Sequence, residues 1–353
     1  MLSISVLILE RPGPQIPASG PSTVKAEFVE KTDMEEGVFG LRRKDEANML
    51  SVTFLGTAGS LPTPERNPSA ILVNREGEMV LLDCGEGTQR QMMRARTGMM
   101  RLNCIFLSHL HADHILGIPG LLETMAFQGR EEPLIIAGPP KTIRLVETFS
   151  SVCYFSRDFE VRAVELEPGD VVRMKGYRVE AIETQHSVPS LGYCLMEDQR
   201  LGRFNREAAL ALGVPSGPLF GRLQHGQSVE VNGRAVHPDQ VMGPPRSGRK
   251  IVYTGDTRPC RAVEAASSDA DLLIHDAALA NEMADWARET KHSTAGEAAE
   301  VASMAGVKQL VLTHISSRYS KDTSPLLMEA KAIFKNTLVA EDLMKLDIRL
   351  KDE

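Results

Sequence analysis

Short apolar runs alternate with polar turns through most of the sequence. Their apolar residues follow two different spacings, one typical of strands and one typical of helices. Runs with strand-like composition are separated by stretches in which apolar residues recur roughly every three to four positions. The strand-like runs cover 51–55, 70–73, 79–82, 104–107, 134–137, 161–166, 171–174, 177–183, 251–254, 271–274 and 309–312. The helical stretches cover 86–96, 115–128, 140–150, 259–266, 294–305 and 325–334. Two sheets, each covered by helices on its outer face, would account for this order.

The first 48 residues do not follow this pattern. The run Leu2 to Leu9 is apolar but no basic residue precedes it, and 11–22 is dense in Pro, Gly and Ser, so neither a signal peptide nor a folded domain is indicated. A strand-like run begins directly after Met49. We therefore expect one domain over 49–353, preceded by an extension that is poorly ordered or reflects a start site assigned too early.

Composition narrows the choice of function. A net charge of −7 gives no general surface for binding polyanions, so any nucleic-acid contact must depend on a local basic patch or on metals. The five cysteines form no C-x-x-C pair, which favours reduced thiols in a cytoplasmic protein. No stretch approaches the roughly 18 apolar residues that a membrane span needs. We expect a soluble cytoplasmic protein that does not bind membranes.

The segment His109-Leu110-His111-Ala112-Asp113-His114 is the strongest chemical signal. It follows a strand-like run and precedes a helical stretch, and its three imidazoles and one carboxylate are typical metal ligands. At such a turn, His109 and His111 can converge on one ion, while Asp113 and His114 face a neighbouring one. Both ions would lack ligands, which must come from elsewhere in the chain.

Three further polar residues follow strand-like runs. They are His186 after 177–183, Asp256 after 251–254 and His314 after 309–312. Each residue alone would be an ordinary loop residue. In a four-layer arrangement, however, strand ends from both sheets meet at one edge, so these residues can complete the metal ligands there.

This order of motifs resembles the metallo-β-lactamase superfamily. The resemblance implies an α/β fold, a four-layer αββα sandwich, and two zinc ions per subunit, for which manganese can substitute. One ion would be held by His109, His111 and His186, the other by Asp113, His114 and His314, with Asp256 bridging them. It also implies that Asp113 is both a ligand and the general base.

Narrower motifs resemble the ribonuclease Z family over about 50–345. They are Phe54–Thr57, Pro62–Asn67, Asp83–Gln89, Gly117–Leu122 and Thr313–Tyr319, and Gly202–Arg206 resembles the archaeal branch. The resemblance implies an endoribonuclease that removes the 3′ trailer of precursor tRNA near the discriminator nucleotide and leaves a 3′-hydroxyl. It implies a homodimer, and no other protein partner is expected.

His292 is the candidate for delivering a proton to the leaving oxygen. Thr294 and Glu297 form a capping-box pattern, which places His292 at a helix N-terminus. In the family this histidine pairs with the Glu of a His-Glu-Ala-Thr motif, whereas this chain has Asp276 at that position, one methylene shorter. Asp276 is therefore a candidate partner of His292. The sequence does not decide whether its shorter side chain reaches the histidine. We expect the preceding His275 to have a structural role.

An insertion at about 197–240 separates the strand ending near Leu195 from the next one at 251. An insertion of this length is usually functional or disordered. Its apolar residues could form a small cluster: Phe204, Leu210, Leu212, Leu219, Phe220 and Leu223. Over 198–225, four arginines stand against two acidic residues, a local charge of +2: Arg200, Arg203, Arg206 and Arg222. The family resemblance implies a protruding arm, marked by Gly217-Pro218, that grips the tRNA bound by the partner subunit; the alternative is a solvated excursion without a partner.

The loop 62–67 and Asp83 complete the candidate residues. In the family a comparable loop lies beside the metals and helps to reject ends bearing CCA, so Arg66 could contact a phosphate; a rigid proline-rich turn is the alternative. Asp83 is expected to support a ligand by hydrogen bonding.

Two other functions remain open. One is a hydrolase of small phosphodiesters or aryl sulfates on the same fold. The other is a catalytically silent RNA-binding scaffold, which is disfavoured because no expected ligand is missing from the sequence.

Overall fold

A computed structural model describes residues 8–11, 49–152 and 157–350. The strands are β1 (Ile8–Glu10), β2 (Leu50–Gly56), β3 (Ala58–Gly59), β4 (Ala70–Arg75), β5 (Glu78–Leu82), β6 (Leu102–Phe106), β7 (Leu134–Gly138), β8 (Val161–Glu165), β9 (Val171–Met174), β10 (Tyr177–Glu183), β11 (Leu191–Glu197), β12 (Val229–Val231), β13 (Arg234–Val236), β14 (Lys250–Tyr253), β15 (Leu272–Asp276), β16 (Leu310–Thr313), β17 (Ile315–Ser316), β18 (Thr337–Val339) and β19 (Lys345–Asp347). The α-helices are α1 (Thr88–Ala95), α2 (Ala112–Ile115), α3 (Gly117–Phe127), α4 (Thr142–Val152), α5 (Arg206–Ala211), α6 (Pro218–Gln224), α7 (Arg261–Ser267), α8 (Ala284–Thr290), α9 (Ala295–Met304) and α10 (Ser324–Ile333). Each run predicted from the sequence forms an element of the predicted type, with its ends within two residues.

Two large sheets organise most of the chain. The eight-stranded sheet has the order β1-β9-β10-β11-β14-β15-β16-β18, and the seven-stranded sheet has the order β19-β2-β4-β5-β6-β7-β8. Strands β14, β15, β16 and β18 run parallel, as do β5, β6, β7 and β8. The carboxyl ends of each parallel set therefore lie at one edge of its sheet, where ligand sites commonly form.

Side chains of each strand point alternately to the two faces of its sheet. They form three apolar layers, one between the sheets and one between each sheet and its helices. In β6, Phe106 packs between the two sheets with Tyr193 and Tyr253, whereas Ile105 faces the helices outside the seven-stranded sheet. In β15, Ile274 lies between the sheets and Leu273 packs outward with α9. The result is the expected four-layer αββα sandwich.

One short segment of the N-terminal extension is paired with the eight-stranded sheet. Residues 8–10 form β1, which pairs antiparallel with β9 at the edge of the eight-stranded sheet. The Glu10 carboxylate lies 3.0 Å from Arg173 Nε, and Arg11 lies 3.4 Å from Asp170. Backbone pairing and these two ion pairs therefore join the segment to the sheet edge. The rest of 1–48 lies outside the described residues.

Residues 197–248 form a compact unit of their own, which we call the arm. It contains α5, α6 and the β12–β13 hairpin around a small core of Ala209, Val214, Leu223, Val229, Val236 and Val241. Phe204 and Phe220 pack beside this core with ring centroids 4.8 Å apart. Leu210 and Leu212 were expected in the cluster but are exposed, because both sit on the solvent side of the α5 C-terminus.

Two expectations drawn from composition meet the structure here. Within the part of the chain described, no helix combines the length and apolar character needed to cross a membrane. Cys84, Cys104, Cys194 and Cys260 are free thiols, and Cys153 lies outside the described residues.

Candidate metal centre

The segment 109–114 lies where β6 gives way to α2. His111 is the N-cap of α2, so Asp113 and His114 occupy its short single turn. The Cys84 amide donates to the His114 carbonyl at 2.8 Å and anchors this turn to the end of β5. The following Gly117 approaches so closely that a Cβ there would lie 2.0 Å from the Gly85 carbonyl oxygen. A side chain at 117 would therefore push the ligand turn out of place.

Three strand ends bring the remaining ligands. His186 follows β10, Asp256 follows β14 and His314 directly follows β16. Asp256 comes after Gly255, whose φ of +59° and close approach to Ser108 exclude most side chains. Ligands far apart in sequence thus meet because both sheets end their strands at the same place.

The first ligand group consists of His109, His111, His186 and Asp256. His111 Nδ1 lies 3.0 Å from His109 Nε2 and 3.3 Å from His186 Nε2. Asp256 Oδ2 lies 3.6 Å from His109 Nε2 and 4.0 Å from His186 Nε2. These four donor atoms surround a space suited to one tetrahedral cation.

The second ligand group consists of Asp113, His114 and His314, again beside Asp256. Asp113 Oδ2 lies 3.4 Å from the Nε2 atoms of both His114 and His314. Asp256 Oδ1 lies 3.4 Å from His114 Nε2, and its Oδ2 lies 3.2 Å from His314 Nε2. Asp256 therefore contacts both groups, which is the arrangement expected of a bridging carboxylate.

The electrostatics of these residues fit metal ions. Burial opposes ionisation of Asp113 and Asp256, but the surrounding imidazoles hold the pKa of both carboxyls well below its usual range. Burial, reinforced by the charge of His114, holds the pKa of His109 well below its ordinary value and keeps the ring neutral. Among the described residues, His114 Nε2 and Asp256 Oδ1 are buried without a hydrogen-bond partner. Buried donors of this kind are suited to a cation.

Hydrogen bonds behind the ligands fix their orientation. Asp83 is fully buried and accepts from His114 Nδ1 at 2.7 Å, from Ser108 Oγ at 2.7 Å and from Tyr253 OH at 2.7 Å. The His186 Nδ1–H group donates to the Lys291 carbonyl at 3.1 Å. In each histidine the bonded nitrogen leaves Nε2 facing the ligand group, as in many metal sites. Asp83 thus contacts a ligand as the sequence suggested.

His292 and Asp276 lie together beside the two ligand groups. Asp276 is fully buried at the end of β15, and its Oδ2 accepts from His292 Nδ1 at 2.9 Å. The shorter aspartate therefore reaches the histidine. Burial lowers the pKa of His292, but the Asp276 charge offsets this and raises it to about 9. The His292 ring centroid lies 5.2 Å from that of His186 and 5.0 Å from that of His314, so it faces ligands of both groups.

Two neighbours of Asp276 hold it in place. The Ala278 amide donates to Asp276 Oδ1 at 3.1 Å. His275 is fully buried, and its Nδ1 donates to the Asp276 carbonyl at 2.7 Å. Its Nε2 is buried without a hydrogen-bond partner in the described part of the chain, and the structural role of His275 stays a prediction.

The side chain of Arg66 lies inside the protein. It is only 5% exposed, and Nη1 donates to Thr57 Oγ1 at 2.7 Å and to the Ala340 carbonyl at 2.6 Å. Asp342 accepts from Thr57 Oγ1 and from the Asn67 amide, both at 2.8 Å. The expectation of a phosphate contact is wrong, because the guanidinium points into the protein and fastens the loop 62–67.

Within the arm, the predicted substrate-binding residues lie mostly in solvent. Arg203, Arg206 and Arg222 are exposed and Arg200 is partly buried. Gly217 and Pro218 are exposed at the start of α6, where Gly217 has a φ of +144° that favours glycine.

Several contacts to the candidate residues were not foreseen. The Ser60 amide donates to Asp113 Oδ2 at 2.9 Å, and the Lys291 carbonyl orients His186. Both are backbone groups, so no side-chain motif marks them. Arg258 contacts the His292 carbonyl, and its place directly after Gly-Asp-Thr is a signal that could have been followed.

Comparison with known proteins agrees with this geometry. Residues 50–202 match the family model described as anti-Pycsar protein Apyc1, and residues 224–315 match the beta-lactamase superfamily domain. The chain is similar to the short form of human tRNase Z, with a TM-score of 0.63 and 28% identity over 85% of this chain and 100% of that one.

Curated relatives are closer in sequence. The chain is 62% identical to ribonuclease Z of Methanosarcina acetivorans over 305 residues, 86% of this chain and 100% of the relative. It is 61% identical to ribonuclease Z of Methanosarcina mazei over 300 residues, 85% of this chain and 98% of the relative. Both relatives are archaeal, in agreement with the expected branch. The chain belongs to the ribonuclease Z family, the metal-dependent endoribonucleases of the metallo-β-lactamase superfamily that process the 3′ end of tRNA.

Proposed function

We propose that the chain cuts precursor tRNA once, near the discriminator nucleotide, at a centre of two zinc ions, and leaves a 3′-hydroxyl on the tRNA. His109, His111 and His186 would hold one ion and Asp113, His114 and His314 the other, and Asp256 would serve both. The observation that carries this proposal is the position of Asp256, whose carboxylate lies within 3.2–4.0 Å of imidazole nitrogens in both ligand groups.

The protein residues divide the proton transfers between them. Bound zinc ions would supply a nucleophilic water and stabilise charge on the phosphate oxygens. Asp113 is contacted at Oδ2 by Ser60 and two imidazoles, so we assign acceptance of the water proton to Oδ1. His292, oriented by Asp276 through Nδ1, delivers a proton from Nε2 to the leaving 3′ oxygen. General acid catalysis of this kind contributes about 100- to 10,000-fold.

Substrate choice resides in the arm. Its exposed arginines, Arg203, Arg206 and Arg222, contact phosphates of the tRNA, which gives recognition of shape rather than of base sequence. The working form is a homodimer in which the arm of one subunit grips the tRNA cut by the other. Light scattering of the purified protein should give the mass of two chains; the mass of one chain would contradict the dimer.

Two substrates separate the proposal from its alternative. Purified protein is incubated with a 3′-extended tRNA and, separately, with bis-p-nitrophenyl phosphate. We expect a single cut near the discriminator and a much higher kcat/KM for the tRNA. Random degradation, or a preference for the small diester, would overturn the tRNA assignment in favour of a small-phosphodiester hydrolase.

The identity of the metal is tested separately. Elemental analysis of protein purified without added metal should find about two zinc ions per chain. Chelation should abolish cleavage, and zinc or manganese should restore it. Activity that survives exhaustive chelation would contradict the metal centre.

A further inference from the structure

The segment 291–294, which joins α8 to α9 and carries His292, is held at successive residues. The Lys291 carbonyl accepts from His186 Nδ1 at 3.1 Å, and the His292 carbonyl accepts from Arg258 Nη1 at 2.6 Å. The Ser293 hydroxyl donates to the Thr257 carbonyl at 2.6 Å. The segment therefore cannot move without breaking contacts to the strand ends that carry the ligands.

Arg258 makes the most extensive of these contacts. Besides the His292 carbonyl, its Nη1 donates to Glu297 Oε2 at 2.7 Å, and its Nη2 donates to Glu297 Oε1. Such a two-pronged ion pair fixes the orientation of both side chains. Glu297 Oε2 also accepts from the Thr294 amide at 2.9 Å, within the capping box of α9. Arg258 is thus bonded both to His292 and to the first turn of α9.

The backbone around Arg258 holds the partner of His292. The Thr257 amide donates to Asp276 Oδ2 at 3.0 Å, the same oxygen that accepts from His292 Nδ1. The Arg258 amide donates to the Gln185 carbonyl at 2.9 Å, next to His186. Residues 257 and 258 consequently fix both members of the His292–Asp276 pair. The Arg258 side chain is only 15% exposed, so its bonds are less screened than those of a surface ion pair.

We propose that Arg258 is a positioning residue for His292. It holds the His292 carbonyl and, through Glu297, the start of α9, so that the imidazole stays against Asp276 at the leaving oxygen. The guanidinium itself contacts neither substrate nor reacting atoms. A misplacement of about 1 Å can cost about 100-fold in rate, which is the size of effect that Arg258 prevents. This inference rests on the proposed role of His292 as proton donor.

Substitution of Arg258 in the full-length, metal-loaded protein measures the effect. Arg258→Met should lower kcat on 3′-extended tRNA about 10- to 100-fold while KM and metal content stay unchanged. Arg258→Lys keeps the charge but cannot make the two-pronged contact, so it should recover part of the loss. Arg288→Met is the matched control, because it removes an exposed ion pair with Asp285 from the neighbouring α8 and should not alter kcat.

Glu297→Gln covers the case in which Arg258→Met does not fold. Glutamine preserves the capping box but weakens the bond to Arg258. It should lower kcat in the same direction by a smaller factor. Unchanged kcat in a folded Glu297→Gln protein, together with an unfolded Arg258→Met protein, would assign Arg258 to stability alone and overturn the proposal.

A double variant shows whether Arg258 acts through His292. If it does, Arg258→Met combined with His292→Ala should be no slower than His292→Ala alone. Multiplied losses, a rise in KM without a fall in kcat, or loss of metal in Arg258→Met would each overturn the positioning role. Full kcat in His292→Ala would overturn the proton donor and the positioning role together. A slow His292→Ala beside a fully active Arg258→Met would overturn the positioning role only.

Discussion

The metal centre and the arm are built on opposite principles. His109, His114 and Asp256 are at most 3% exposed, and each is fixed by several polar neighbours. Arg203, Arg206 and Arg222 lie in solvent on a unit with its own small core. Burial strengthens the electrostatic interactions between charged groups in the centre, whereas solvent and salt screen those between charges on the arm surface.

Under the proposed function, the centre carries out the cleavage and the arm binds the tRNA, so the two regions should respond differently to substitution. A buried polar network fails when one member is removed, because the remaining charges keep their desolvation cost without a partner. Surface charges act nearly independently, so each contributes a modest share. We therefore expect changes in the centre to act on kcat and by large factors, and changes in the arm to act on binding and by smaller ones.

The largest effect is expected for Asp256→Ala. It removes the one carboxylate shared by both ligand groups, so cleavage should fall by at least about 1,000-fold, since a metal site supplies several kcal/mol of transition-state stabilisation. Cleavage assays combined with elemental analysis should show that metal is lost in parallel. Asp285→Ala, at a side chain that is 97% exposed, is the control and should keep full activity. Full cleavage by Asp256→Ala would place the chemistry elsewhere.

A smaller effect is expected from the arm. Replacement of Arg203, Arg206 and Arg222 by alanine should weaken tRNA binding about 10- to 100-fold and reduce the dependence of binding on salt, because fewer counterions are released. The cleavage rate of the bound complex should not change. Binding titrations over a range of salt concentrations measure both quantities.

The control removes the same charge from elsewhere. Arg144, Arg261 and Lys335 are exposed outside the arm. Their joint replacement by alanine lowers the net charge equally and should leave binding and its salt dependence nearly unchanged. Equal weakening by both triple variants would mean that overall charge, and not the arm, attracts the tRNA.

The smallest effect on catalysis is expected for Arg66→Met. The loop 62–67 would lose the bonds to Thr57 and Ala340, which should lower the free energy of unfolding by about 1–3 kcal/mol. Thermal or denaturant unfolding measures this loss, with Glu65→Gln as the exposed neighbouring control. A raised KM in a protein of unchanged stability would reinstate a phosphate contact for Arg66.

The sequence predicted most of the fold because its apolar spacings are regular. Buried runs such as 104–107 and 271–274 alternate between two apolar layers, and this alternation shows directly in the residue order. The seven candidate ligands could be predicted because four of them form the cluster 109–114 and the other three, His186, Asp256 and His314, each follow a predicted strand. The structure brings all seven together.

What the sequence could not supply is the set of contacts made across long separations. Arg66 looks like a surface arginine in a proline-rich loop, and only its bond to Ala340, 274 residues away, reveals that it is buried. The segment 8–10 ends a short apolar run that indicated no folded domain, and only its pairing with the edge of β9 shows that it forms a strand. In these cases tertiary partners, and not local composition, decide the role.

Single-turnover cleavage of a 3′-extended tRNA would show whether cleavage by the metal centre and tRNA binding by the arm are separate functions. The full chain is compared with a variant in which 200–225 is replaced by a short Gly-Ser linker, with bis-p-nitrophenyl phosphate as a control for the intact centre. We predict the same cut position, a similar rate at saturating protein and half-saturation at about 10- to 100-fold higher protein concentration. A shifted cut, or a saturating rate as low as that of Asp256→Ala with hydrolysis of the small diester intact, would contradict the separation of the two regions.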